Sequence, residues 1–222
     1  MRLIENFLVV SPFIAFLAYK QLFPAMLILS TITLVISLVN FNSTFNFTIP
    51  TPFYRRPYEF AVGFRNTFYL FIMTYSLTFI AISVGNFNLG IFSLLLVFFI
   101  TLTFYSKPED LYFVWSFIDS PKGFLMKKIR TGLVYSTMLS TPILIILSIF
   151  FFSEIKILLI FQLLGYIYLI TIILAKYSAY PNEMSLPQGI LFSLSLMLPP
   201  ALFITIPLFY YQSIKSLTSI LK

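Results

Sequence analysis

ILLIFQLLGYIYLITIILA, Ile157–Ala175, is the stretch whose reading decides the fold. It holds 19 residues and no charge, between Lys156 and Lys176. As a helix rising 1.5 Å per residue it reaches about 28 Å, close to the roughly 30 Å hydrocarbon thickness of a bilayer. It is apolar on every face, so a soluble protein would have to bury it completely. The rest of the chain offers no polar shell that could do so. Of 222 residues, 59% are hydrophobic and only 9% are charged. A soluble domain carries about 25% charged residues. The composition therefore excludes a water-facing globule and predicts a polytopic membrane protein with little mass outside the bilayer.

Similar uncharged runs occur on both sides. Phe23–Val39, Phe68–Val84, Leu89–Phe104, Thr131–Phe152 and Gly189–Tyr211 each approach the length of a crossing. Leu3–Tyr19 is a shorter candidate, interrupted by Pro12, which either spans or lies partly in the interface. A signal peptide is the other reading of the first 20 residues, but no small-x-small cleavage site follows. The expected fold is all-α, one transmembrane helix bundle over residues 1–222. It has six to seven spans, near 3–19, 23–39, 68–84, 89–104, 131–152, 157–175 and 189–211. Short amphipathic cytoplasmic helices are expected in segments 50–66 and 106–130.

Net charge is +7, from 14 basic and 7 acidic residues. In a membrane chain this excess reports orientation rather than nucleic-acid binding. With Asn40–Asn66 in the cytoplasm, Arg2, Arg55, Arg56, Arg65, Lys107, Lys122, Lys127, Lys128, Arg130 and Lys176 all fall inside. Lys20, Lys156, Lys215 and Lys222 fall outside, ten against four. Seven spans put the C-terminal tail outside. Asn42-Ser-Thr and Asn46-Phe-Thr match glycosylation acceptors, but this topology leaves them in the cytoplasm.

The chain has no His and no Cys. That removes imidazole bases, imidazole and thiolate metal ligands, thiol nucleophiles and disulfides. No catalytic constellation, metal site or cofactor is expected. None of the seven acidic residues lies in the middle of a span, which argues against a proton- or sodium-coupled transporter.

The charge collects in the two cytoplasmic segments. In the first, Pro50, Pro52 and Pro57 break the chain, and Pro57 can open a helix with Glu59 near its positive end. Tyr58, Phe60, Val62 and Phe64 then alternate with Glu59, Gly63 and Arg65. This predicts a short helix along the membrane face, either a lipid anchor through Arg55, Arg56 and Arg65 or a docking helix for a partner. In the second, Pro108-Glu109-Asp110 starts a helix with Leu111, Val114, Trp115 and Ile118 on one face. Its simplest role is an interfacial helix with Trp115 at the headgroups. Ser120-Pro121 ends that helix and opens another, and Lys127, Lys128 and Arg130 mark its entry into the membrane.

The order acidic pair, short helix, Ser-Pro, then a Lys-bearing helix entering a span resembles the cytosolic loop of ABC-2-type transporter permeases. Glu109 and Asp110 match the acidic start, Ser120-Pro121 the break, and Lys127 or Lys128 the basic entry. Pro57–Arg65 is similar to the amphipathic helix that precedes a permease span. The resemblance covers about Pro57–Phe152. It implies the permease subunit of an ABC exporter in a bacterial cytoplasmic membrane. The chain has no G-x-x-x-x-G-K-[ST] sequence, so ATP would bind a separate ATP-binding cassette subunit. That subunit would dock on Arg55, Arg56, Glu59, Phe60, Arg65, Glu109, Asp110, Trp115, Ser120, Pro121, Lys127 and Lys128. A homodimer or heterodimer of permeases in the lipid bilayer is implied, with no nucleic acid partner. A non-transporting membrane scaffold is the alternative, and a lipid-modifying enzyme a third.

Within the spans, Gln162 is expected to make a helix–helix hydrogen bond or to line a substrate path with Thr137. The hydroxyl-rich run from Thr131 to Thr141 points to close helix packing. Pro142, Pro199, Pro200 and Pro207 are expected to kink their spans, and a re-entrant turn is one outcome near Pro199-Pro200. That turn would place Pro199 and Pro200 on the substrate path.

Overall fold

The computed structural model describes residues 2–21, 23–38, 51, 53, 58–116 and 120–221. Among them the structure is all-helical, with no strand. The chain divides into two compact units, Met1–Thr48 and Ile49–Lys222. The first is a helical hairpin of α1 (Arg2–Tyr19) and α2 (Phe23–Leu38), turning through Gln21 at a positive φ of 55°.

The second unit holds α3 (Tyr58–Val84), α4 (Phe87–Thr103), α5 (Leu111–Trp115), α6 (Pro121–Phe150), α7 (Ile155–Ala179), α8 (Leu186–Met197) and α9 (Leu202–Thr218). Three helical stretches are long and apolar enough to cross a membrane: Glu59–Val84, Pro121–Phe150 and Phe152–Ala179. These are the helices of an integral membrane protein. Phe87–Thr103 and Leu186–Met197 are apolar but shorter.

The segment ahead of α3 does not form the separate surface helix expected from sequence, whereas the segment ahead of α6 holds the short helix α5 and then the second helix start leading into a long helix, as expected. With 27 residues, α3 runs unbroken from Tyr58, about 40 Å in length. The 30 residues of α6 run unbroken from Pro121 through Pro142. The residues of the first segment expected to lie along the membrane face, Tyr58–Arg65, are instead the first turns of α3. Hydrogen bonding explains the continuity: no proline or cap interrupts either helix where the charged residues give way to apolar ones.

The connection after α3 is tight. Gly85 takes φ +67°, the left-handed cap that glycine favours, and Asn86 accepts a hydrogen bond from Leu89 N at 3.2 Å to start α4. So α4 returns beside α3, where Thr78 and Ser93 share a buried hydrogen bond of 2.9 Å. Next to α3 lies α6, with the Tyr75 hydroxyl donating to Leu139 O at 3.0 Å. At the centre α7 touches α4, α6, α8 and α9. The approach of α7 to α4 depends on Gly165, where a Cβ would lie 2.5 Å from ring carbons of Phe98.

The expected span over residues 189–211 is overturned. Leu198 leaves helical geometry at φ −123°, ψ 88°, toward the extended conformation that a residue before proline favours. Pro199–Ala201 makes one 3₁₀ turn, and α9 then runs back the way α8 came. Side-chain contacts fix the path. On the way in, Gln188 donates to Ser178 Oγ at 3.0 Å and Tyr168 donates to Ser195 O at 3.0 Å. On the way back, Ser213 donates to Leu174 O at 2.7 Å and Ser216 to Ser178 O at 3.1 Å. The hairpin turns at the level of Leu164, about 14 Å short of the start of α7. It is re-entrant: α9 lies parallel to α7 and ends where α3 and α6 begin.

That end, where α4 and α7 also finish, is the charged end. The return of α9 brings Lys215 there, whereas seven spans would place it at the opposite end. In this unit Arg65, Lys122, Lys127 and Lys215 all belong to the charged end, and Lys156 belongs to the far end. The charge asymmetry is therefore stronger in the fold than in the sequence count.

Candidate functional site: a buried ion cluster beneath a short surface helix

Four segments each contribute one charged side chain to a cluster at the charged end: Glu59 in the first turn of α3, Glu109 ahead of α5, Lys128 in α6 and Lys176 in the last turn of α7. They form one cluster. Lys128 Nζ lies 2.8 Å from Glu59 Oε2 and 2.7 Å from Glu109 Oε1. Lys176 Nζ pairs with Glu59 Oε1 and lies 3.2 Å from Glu109 Oε1. The Tyr177 hydroxyl donates to Glu109 Oε1 at 2.5 Å.

The cluster is buried, with both lysine side chains 2% exposed, Glu59 8% and Glu109 11%. An isolated charge could not be held there. Two ammonium groups against two carboxylates sum to zero, and each lysine meets both acids, so no charge is left alone. Burial alone would push the Glu109 carboxyl up. The charges of Lys128 and Lys176 and the hydrogen bond from Lys128 outweigh it and hold Glu109 well below the usual carboxylate range. Nearby, burial together with the charges of Glu109 and Asp110 pushes the Tyr180 phenol up to about 12.

Aromatic rings wall the cluster. Phe60 packs edge-on to Phe53 and Phe104 at centroid distances of 5.0 and 5.1 Å, and Phe124 does so to Tyr177 at 5.2 Å. The low dielectric they create strengthens each ion pair and raises the cost of leaving any member unpaired.

Outside this cluster sits α5. Asp110 caps it, its carboxylate accepting from Tyr112 N, while the adjacent Glu109 turns inward. Val114 is buried. Leu111, Tyr112, Phe113 and Trp115 point outward, with Trp115 64% exposed. The expected apolar face of Leu111, Val114 and Trp115 is therefore not the buried one, because five residues make little more than one turn and only Val114 reaches the bundle. Ser120 caps α6 by accepting from Gly123 N at 3.2 Å, with Pro121 in its first turn.

The residues expected at a docking surface thus separate. Glu59, Phe60, Glu109 and Lys128 face inward. Arg65, Asp110, Trp115, Ser120 and Lys127 are exposed, and Pro121 is half-buried. The pair Lys127/Lys128 resolves because neighbouring helical residues point about 100° apart. Arg55, Arg56, Pro57, Ile118, and the Asn42 and Asn46 triplets lie outside the described residues. Sequence reading missed Lys176 and Tyr177 as site members. The signal for Lys176 was its place directly after 19 uncharged residues, where a lysine must either leave the bundle or find a carboxylate.

Gln162 makes the expected helix–helix hydrogen bond. Its amide donates to Ser140 Oγ of α6 at 2.7 Å and to the Tyr166 hydroxyl at 2.6 Å. Tyr166 in turn shares a 2.8 Å bond with Thr137, so the structure joins Gln162 and Thr137 in one neutral network. Pro199 and Pro200 are elsewhere, at the hairpin tip. They border an apolar cavity of about 500 Å³ with Leu164, Ile167 and Phe203.

Among the described residues no group of His, Cys, Asp or Glu could hold a metal ion. The cluster ties the ends of α3, α6 and α7 to the residue that precedes α5. No family model matches the chain, and neither a curated protein nor a solved structure matches it.

Proposed function

We propose that the chain is the membrane-spanning subunit of an ABC-type exporter in a bacterial cytoplasmic membrane, driven by a separate ATP-binding subunit. One observation carries this reading: α5 presents aromatic side chains outward while its N-terminal flank is fastened into the ion cluster. A docking element needs both properties. An apolar outer face fills a partner's groove. A rigid inner link passes the partner's movement on, and here Glu109 connects α5 to Lys128 of α6 and Lys176 of α7. In this reading α3, α4, α6 and α7 cross the bilayer, α1 and α2 add two crossings, and α8–α9 dips in from the cytoplasm. A second permease copy completes the transporter.

The test is purification of the tagged chain from its native membrane. An ATP-hydrolysing subunit should accompany it in stoichiometric amount. Trp115→Asp and Tyr112→Asp should release that subunit without disturbing the bundle, since both side chains are exposed. Reversing Glu59 or Glu109 is a poor test, because each would leave lysines unpaired in the interior. A purified complex without an ATPase overturns the exporter reading in favour of a membrane scaffold.

A further inference from the structure

Two apolar cavities lie along the line where α4 meets α7. The outer one, about 530 Å³, begins at the far end, between Phe87, Asn88 and Phe92 of α4 and Glu154, Ile157 and Phe161 at the start of α7. The inner one, about 220 Å³, lies between Phe98 and Phe99 of α4 and Leu164 and Tyr168 of α7. Leu95 lines both. Along α7 the lining positions 154, 157, 161, 164 and 168 recur every three or four residues, as on one helix face, so the cavities form a single groove. From Ile157 to Tyr168 it runs about 17 Å, against roughly 15 Å for one leaflet of a bilayer's hydrocarbon core.

The hairpin tip closes the inner end with Met197 and Pro199. That tip suits hydrocarbon, because no backbone donor in it is left over. Leu198 N donates to Leu194 O at 2.8 Å and Ala201 N to Leu198 O at 2.9 Å. Leu202 N donates to Pro199 O, and Pro199 and Pro200 have no N–H. Along its side the groove is open, with Phe92 and Phe99 about half exposed. An apolar cavity offers water no partners, and its walls lose dispersion contacts when nothing fills it. A helix from another protein segment is too thick: at about 10 Å across, two turns fill roughly 850 Å³, several times the inner cavity.

We propose that this groove binds one acyl chain of a phospholipid from the far-end leaflet, its methyl end against the hairpin tip and its ester at the mouth. The groove is continuous with the lipid-facing surface of α4 and α7, so the bilayer itself supplies the occupant. At the mouth the exposed Asn88 can donate to the ester carbonyl. Glu154 selects against a free fatty acid, which would set a second carboxylate beside it, whereas a phospholipid presents a neutral ester there. The bound chain fills the space between α4 and the tip and so supports the α8 side of the hairpin. The site needs no ATP-binding subunit and stands apart from the exporter reading.

Photolabelling tests it. Detergent-purified protein is titrated with a phosphatidylcholine carrying a diazirine at the end of one acyl chain, irradiated, and mapped by mass spectrometry. Labelling should saturate at a single lipid per chain and fall on positions 98–102 and 164–168 and on Met197. Leu95→Trp plugs the junction of the two cavities and should lower it about fivefold. Ile160→Trp, exposed on α7 and not part of the groove lining, should leave it unchanged. Met197→Trp, at a position 83% exposed and away from the core, should lower it about twofold, a readout that stands even where Leu95→Trp does not fold. Labelling that never saturates, or that survives both groove variants, is bulk lipid contact and overturns the proposal. Absence of label from the groove, as when another protein segment covers it, overturns it too. A fatty acid bearing the same diazirine that labels the groove at lower concentration than the phospholipid contradicts the phospholipid assignment.

Discussion

The bundle contains two polar networks built on opposite principles. At the charged end, Glu59, Glu109, Lys128 and Lys176 put four ionised groups under a layer of aromatic rings. About 14 to 21 Å deeper along α6 and α7, Thr137, Ser140, Gln162 and Tyr166 use only hydroxyls and an amide. Both networks join α6 to α7, but their failure costs differ. A neutral pair in a membrane interior contributes little, because its members find other partners when separated. A buried ion cluster contributes little net stability when complete and is severe when broken, because the remaining charge has no water to return to. The lesson is about placement: charge sits at the end of the bundle under aromatic rings, and the deep region is held by packing.

The largest effect should come from breaking the cluster. Lys128→Met leaves two carboxylates sharing one lysine and should cost about 3–5 kcal/mol. Thermal or detergent unfolding followed by helical circular dichroism measures it. A loss under about 1 kcal/mol would erase the contrast between the networks. Next is the test of packing in the deep region. Gly165→Ala pushes a methyl group against the Phe98 ring and should cost about 1–3 kcal/mol. If Gly165→Ala is neutral while Gln162 variants are severe, hydrogen bonds rather than packing hold the centre.

Acid sharpens the contrast further. Glu109 has its folded pKa held down, so its contribution is present above the unfolded value of about 4.3 and is lost as pH falls toward the folded one. As pH falls from 5 to 3 the protein should lose stability through this group. Glu109→Gln should lack that component, and Gln162→Leu should retain it in full. The smallest effect is that of Gln162→Leu at neutral pH, about 0.6 kcal/mol. A loss beyond 2 kcal/mol would give the neutral network a role the account denies it.

Several parts of this arrangement were legible in sequence. The helical class followed from runs such as Ile157–Ala175, and the capping of α5 and α6 from Asp110 and Ser120-Pro121. That Gln162 bonds to another helix followed from its being the one amide in an apolar helix; that the partner is Ser140 of α6 did not. The cluster was half legible: Glu59, Glu109 and Lys128 drew notice as charges, but as surface charges. Their pairing depends on the rotation of α6, which separates Lys128 from Lys127, and on α3 and α7 ending at the same depth. Neither is a local property. The hairpin was misread as a span because residues 189–211 are apolar throughout, and hydropathy does not register direction. Only the contacts of Ser213 and Ser216 with α7 show that the chain turns back.

The central claim is that Glu109 fastens the α5 flank to α6 through an ion pair. A double-mutant cycle of Glu109→Gln and Lys128→Met, read as unfolding free energy at neutral pH, tests it directly. The two single losses should exceed the loss in the double variant, with a coupling of about 1.5–3 kcal/mol. Losses that add within about 0.5 kcal/mol would contradict the account.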